Sequence, residues 1–140
     1  MTEQEKQETL DFLNNWGNGL LAKNLGILFT QLTEDSLSAT MPVTEKVHQP
    51  FGIMHGGASC VLAETLGSCL SNVFLDTEKF YAVGTNINSN HLRSISKGTV
   101  TGTAKFIRKG KTVHVSEIKI RNEKGELINY TTMTNNVIAK

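Results

Sequence analysis

Five residues of this chain have the types and spacing for joint chemistry: Gln49, His55, Gly56, Glu64 and Ser68. Glu64 is the single charged side chain in His55-Gly-Gly-Ala-Ser-Cys-Val-Leu-Ala-Glu-Thr-Leu-Gly-Ser-Cys-Leu-Ser-Asn-Val-Phe-Leu75. A carboxylate in so apolar a stretch is costly unless it has a partner or a task, and as a task it serves as a base or a nucleophile. His55-Gly56-Gly57 stands at the start of the same stretch, with Gln49 in the loop before it. If a helix begins there, its first amides and its dipole stabilise negative charge, and the glycines let a ligand approach the backbone. Donors for a developing oxyanion, two turns from a base, suit attack on a carbonyl. A surface helix edge or a structural salt bridge is the competing account of Glu64.

The element that must position these groups is a buried helix over about Gly57 to Phe74, too interrupted by Glu64, Gly67, Ser68 and Asn72 to be a membrane span. Projection at ~100° per residue puts Leu62, Leu66, Cys69 and Val73 on one side as core. Gly57, Cys60, Glu64, Gly67, Ser68 and Ser71 share the other, a furrow of small residues centred on the carboxylate. Before it, Thr2 and Glu5 have capping-box spacing, so residues 2 to about 16 read as a helix with Leu10 and Leu13 inward, ended by glycines 17 and 19. From Gly26 to Pro42 the pattern is strand-like around a turn at Glu34-Asp35.

After the central helix come four period-two segments, near 79–94, 98–109, 111–121 and 126–139, separated by glycine turns. The short connections predict antiparallel neighbours. The expected architecture is α+β, one long helix against a six-stranded antiparallel sheet, in a single domain over 1–140.

Composition limits the partners. The net charge of +1 speaks against a nucleic-acid binder, but residues 1–50 carry a net −4 and residues 91–124 a net +7. That asymmetry suits a compact polyanion, or merely solvates exposed strands. The N-terminus lacks a basic start followed by an apolar run, so no signal peptide is expected and the cytoplasm is the default address. Cys60 and Cys69 fall on opposite helix faces ~13 Å apart, too far for a disulfide, and two thiols do not make a structural zinc site. No metal is called for.

Gln49-Pro-Phe-Gly-Ile-Met-His55-Gly-Gly-Ala58 followed by Leu62-Ala-Glu64-Thr-Leu-Gly-Ser68 resembles the motif of hotdog-fold acyl-CoA thioesterases. The branch is that of the 4-hydroxybenzoyl-CoA and phenylacetate-pathway enzymes. The match is closest to bacterial 1,4-dihydroxy-2-naphthoyl-CoA hydrolases of menaquinone synthesis and their enterobactin-pathway proofreading relatives. It extends through Ala82-Val-Gly84-Thr-Asn-Ile-Asn-Ser-Asn-His91-Leu-Arg93-Ser94. The resemblance implies that Glu64 attacks the thioester carbonyl or activates water, and that the Gly56 amide polarises the thioester oxygen. Gln49 and His55 would position the carbonyl or the water, and Ser68 would orient the nucleophile. Coenzyme A contacts would fall on Gly84, His91, Leu92, Arg93 and Ser94, and on the hairpin Arg108, Lys109, Gly110, Lys111, Thr112 and Val113. Coenzyme A enters as part of the substrate and leaves as product, so no separate cofactor is implied. The family's sites are shared across a homodimer, so Glu64 would act with Gln49 and Gly56 of the neighbouring subunit, and a tetramer of two dimers is implied.

Other readings fare worse. Lys109-Gly-Lys-Thr112 has the end of a Walker loop, but Lys105 stands where its first glycine belongs. His48 and His114 read as structural or surface residues, Trp16 and Phe12 as packing for the first helix or else a cover over a pocket, and the one-face series Asn86, Asn88 and Asn90 as an interface ladder or else a lining of the ligand groove. A hotdog dehydratase fits the nine-residue His55 to Glu64 spacing poorly. A non-catalytic acyl-CoA-binding module would keep the basic hairpin without needing Glu64.

Overall fold

The computed structural model describes every residue except Asn18, with backbone alone at positions 16 and 17. The sequence reading of the Trp16 side chain therefore lies outside the described residues. Helix α1 (Glu3–Phe12) starts with the expected reciprocal cap: the Glu5 amide donates to Thr2 Oγ1 at 3.1 Å and the Thr2 amide to Glu5 Oε2 at 2.7 Å. It does not run as α-helix to residue 16. It widens into a π-turn at Leu13–Gly17, and a further short helix, α2 (Gly19–Asn24), follows. Asn14 explains why this segment stays docked. Its side-chain amide pairs with both backbone groups of Phe29, at 2.7 and 2.9 Å, and so acts as a piece of strand beside β1.

Strands β1 (Leu28–Leu32) and β2 (Ser36–Pro42) form the expected hairpin. Then come a short 3-10 turn at Glu45–Val47, the long helix α3 (Gly56–Val73), and strands β3 (Phe80–His91), β4 (Thr99–Lys109), β5 (Val113–Arg121) and β6 (Leu127–Ala139). All six strands make one antiparallel sheet in the order β1-β2-β4-β5-β6-β3. One expectation fails here. The glycine turn near Ser96–Gly98 does not join neighbours, since β3 pairs with β6 and β4 with β2. Residues 92–98 instead cross the end of the sheet. The Leu92 and Arg93 amides donate to the Ile128 carbonyl, the Met54 amide to that of Ile95 and the Val43 amide to that of Gly98. Seven extended residues reach about 23 Å, more than the roughly 15 Å of three strand spacings. Connection length could not separate crossover from hairpin.

Helix α3 lies across the sheet and touches β2 through β6. Leu62, Leu66 and Leu70 are fully buried against Leu37, Ala39, Met41, Val100, Ala104, Ile118 and Ile120. Each such leucine contributes about 1.5–3 kcal/mol from burial alone. The buried arc is rotated from the projected one. Ser59, Ala63, Gly67, Leu70 and Ser71 face the sheet, while Cys69 and Val73 sit only partly buried at the margin. Gly67 and Ser71 therefore belong to the packing face, not to an open furrow. Among the described residues no helix is long and apolar enough to cross a membrane.

Candidate active site

His55 is the N-cap of α3. Its ring Nδ1 accepts from the Gly57 amide at 2.7 Å, so the imidazole satisfies one of the orphan first-turn donors. The two following glycines are explained by two rings. A Cβ on Gly57 would come within 2.8 Å of His55 Nδ1, and a Cβ on Gly56 within 2.7 Å of His91 Nε2. The His-Gly-Gly motif is thus the footprint of two imidazoles packed on one helix start.

Gln49 is shaped by its own turn. Its amide donates to the Ile53 carbonyl, the Gly52 amide donates back to Gln49, and the Phe51 amide donates to Gln49 Oε1. With the side-chain oxygen so engaged, Gln49 offers its Nε2 donors outward. Gln49, Gly56, His91, Leu92, Arg93 and Ser94 all line one cavity of about 360 Å³ at this end of α3. Arg93 is held there by Glu126 at 3.1 Å, and that ion pair together with Asn122 keeps the Glu126 carboxyl below its ordinary pKa, the Asn122 hydrogen bond being the larger cause.

Glu64 stands two turns along the helix, about 12 Å from Gly56 by axial rise. It is exposed, as a helix edge at the surface would be, and the salt-bridge account fails because no cation pairs with it among the described residues. With Ser68 it lines a second cavity, about 680 Å³, whose wall is mostly apolar through Phe12, Leu13, Val61 and Val73, with Thr65 and Asn72 among its polar members. Cys69 also lines it; burial pushes its thiol up to about 11, so it remains a protonated, inert wall. Gly84 of β3 closes on Glu64 from the sheet. A Cβ there would lie 3.3 Å from Glu64 Oε1 and 2.7 Å from Met133 Cε. Its missing side chain makes room for the carboxylate and for Met133, at a position to which the resemblance assigns a coenzyme A contact.

The basic hairpin is at the far end of α3. Lys109 Nζ lies 4.8 Å from the Phe74 ring centroid and 5.6 Å from that of Phe106, so it is partly committed to aromatic faces. Arg108 and Lys111 are exposed. His114 packs edge-on against Phe106, and burial, then the Lys109 charge, lowers its pKa below the ordinary histidine value. His48 Nε2 donates to the Ser96 carbonyl, 2.7 Å away, and helps hold the crossover. Both are structural, as expected. Asn86, Asn88 and Asn90 are exposed along β3, whose outer edge is unpaired.

One chain therefore brings the assigned residues together as three clusters: the donors with His91 to Ser94, Glu64 with Ser68 and Gly84, and Arg108 to Val113 roughly 27 Å of helix away from the first. No three of His, Cys, Asp and Glu group closely enough among the described residues to hold a metal ion. The missed features are the π-turn and α2; Phe12 lines the larger cavity, which is the pocket-covering alternative to its packing role.

A long helix wrapped by a six-stranded antiparallel sheet, with a carboxylate mid-helix and amide donors at the helix start, defines the hotdog class of thioester hydrolases. The chain belongs to the thioesterase superfamily, whose family model matches residues 51–129. It is 40% identical to the 1,4-dihydroxy-2-naphthoyl-CoA hydrolase of Escherichia coli over 96% of this chain and 98% of that one. It is 41% identical to the proofreading thioesterase EntH of Cronobacter sakazakii, over 86% and 88%. The crystal structure of a mutant of thioesterase PA1618 from Pseudomonas aeruginosa superposes with a TM-score of 0.90 at 40% identity, covering 94% of each chain.

Proposed function

We propose that this thioesterase hydrolyses an aromatic acyl-CoA, with 1,4-dihydroxy-2-naphthoyl-CoA as its substrate and menaquinone synthesis, in the cytoplasm, as its setting. The carrying observation is the cavity beside Glu64: about 680 Å³ and mostly apolar, a volume in the range of small-molecule pockets that a fused-ring acyl group would fill in part. The 40% identity to a 1,4-dihydroxy-2-naphthoyl-CoA hydrolase over nearly the whole chain supports the particular substrate. In this reading Glu64 removes a proton from water as the water adds to the thioester carbon, with Ser68 one turn on orienting it. The Gly56 amide, Gln49 and His55 hold the carbonyl oxygen, and collapse of the tetrahedral adduct expels coenzyme A thiolate. Arg108, Lys109 and Lys111 would face the phosphates.

Within one chain the base and the donors are separated by two helical turns, which supports a homodimer in which Glu64 of one subunit serves the donor pocket of the other, with the unpaired edge of β3 available for pairing. A homotetramer of two such dimers completes the reading. The test is thiol release from 1,4-dihydroxy-2-naphthoyl-CoA, benzoyl-CoA and straight-chain acyl-CoAs. The naphthoyl thioester is expected to have the highest kcat/KM, and Glu64→Ala to lose about 10³-fold or more in kcat. Equal kcat/KM across the panel favours the proofreading role named for the Cronobacter relative; equal rates for Glu64→Ala and wild type remove Glu64 from the mechanism.

A further inference from the structure

Behind the donor cavity lies a polar cluster on the inner face of the sheet. Asn129 and Thr131 are fully buried on β6, opposite Ser89 and His91 on β3. Asn129 Nδ2 donates to Ser89 Oγ at 2.8 Å and approaches His91 Nδ1 at 3.1 Å. The Thr131 hydroxyl donates to Asn129 Oδ1 at 2.7 Å and lies 2.9 Å from the Ser89 hydroxyl. The lengths fit these directions, 2.7 Å being ordinary for O–H···O and 3.1 Å for an N–H donor. The buried Thr131 hydroxyl, the half-buried Ser89 hydroxyl and a buried amide thus close a ring, and the one amide proton left over points at the imidazole.

That proton decides what the imidazole can do. With Nδ1 accepting from Asn129, neutral His91 carries its own proton on Nε2. Nε2 is the atom that packs on Gly56, 2.7 Å from the position of an added Cβ. The Gly56 N–H is an unpaired first-turn donor of α3, and the Gln49 amide group lines the same cavity. Arg93 is turned to Glu126, whereas His91 Nε2 packs on the helix start at Gly56.

We propose that His91, through Nε2–H, is a second donor to the thioester carbonyl oxygen beside the Gly56 amide, and that Asn129 is the positioning residue that fixes this polarity. His91 donates a hydrogen bond as charge develops on the oxygen and keeps its proton throughout. The inference rests on the thioesterase reading of Glu64 and Gly56, and extends it to a residue that the resemblance assigns to coenzyme A.

Two measurements on the full-length enzyme test it. Steady-state kinetics of His91→Ala are expected to show a kcat about 10²-fold lower with little change in KM, the size seen when one oxyanion donor is removed, and His91→Gln, which returns an N–H near the same place, recovers part of the loss. A raised KM with unchanged kcat makes His91 a coenzyme A anchor and overturns the proposal. Because His91 is exposed, these variants should fold. Nitrogen-15 spectra of labelled histidine at neutral pH read the tautomer directly: the Nε2–H form is expected in the wild type, and Asn129→Asp, which offers only acceptors, shifts it to the Nδ1–H form with kcat falling in parallel. An Nδ1–H tautomer in the wild type overturns the Asn129 role. Glu64→Ala run beside them separates the two readings, since full activity there would sink the mechanism whatever His91 does.

Discussion

The two ends of the working face of α3 are built on opposite principles. At its N-terminus four side chains are each tied through one atom: His55 to the Gly57 amide, Gln49 to the Phe51 amide, His91 to Asn129, Arg93 to Glu126. Two turns on, Glu64 has no ion pair among the described residues and lines a mostly apolar cavity. Donors must be fixed in advance to stabilise a charge that exists only briefly, whereas a base must be free to take up a proton. The difference teaches that the glycines do separate work. Gly56 and Gly57 seat imidazoles, while Gly67 and Gly84 make room for Met133, whose sulfur would lie 2.6 Å from a Cβ on Gly67.

The sharpest way to break this contrast is to fill a glycine at each end. Gly56→Ala should push the His91 ring from its seat and lower kcat about 10²-fold with the melting temperature little changed. Gly67→Ala should do the reverse, destabilising the fold by about 1–3 kcal/mol through overpacking, as read by urea denaturation. If Gly56→Ala unfolds the protein with catalysis intact, the donor end is a packing device and the comparison fails.

A smaller effect concerns the hairpin. Lys111 is exposed, whereas Lys109 leans on Phe74 and Phe106. Lys111→Ala should therefore weaken coenzyme A binding several-fold at low salt, with the loss shrinking as salt rises, as for a charge worth about 1 kcal/mol. Calorimetric titration that shows no change at low salt would remove the hairpin from the binding site.

The smallest effect is on stability against pH. His114 is buried neutral, with its pKa lowered by burial and by Lys109. The unfolded chain binds that proton more readily, so the contribution is fully present above the ordinary histidine pKa of about 6.5 and declines as pH falls towards the lower folded value. Denaturation midpoints should drop over that interval in the wild type and less steeply in His114→Phe. Equal slopes would mean that His114 titrates normally.

Much of this was legible in the residues. The capping box at Thr2, the β1–β2 turn and the extents of α3 and four later strands follow from local signals, and these survive because each is decided within a few residues. The crossover at 92–98 was not legible, because a glycine turn has the same appearance whether the next strand pairs beside it or beyond it. The rotation of the buried arc of α3 was lost for a related reason: serines and glycines at 59, 67 and 71 look polar or open, yet Ser71 is buried under the Asn135 amide at 2.7 Å. Glu64, Gln49 and Gly56 could be singled out by type and spacing, but the His91–Asn129 contact joins residues 38 apart that meet only through strand pairing.

The central claim is that one chain holds two incomplete halves of a site. Mixing Glu64→Ala subunits with Gln49→Ala subunits tests it most directly, under conditions where subunit exchange is independently demonstrated. A site shared between subunits predicts recovery from two nearly inactive samples to about a quarter of wild-type specific activity, because each mixed dimer holds one intact pairing. No recovery after complete exchange would contradict it, and would place Glu64 and the donors of a single chain in the same reaction.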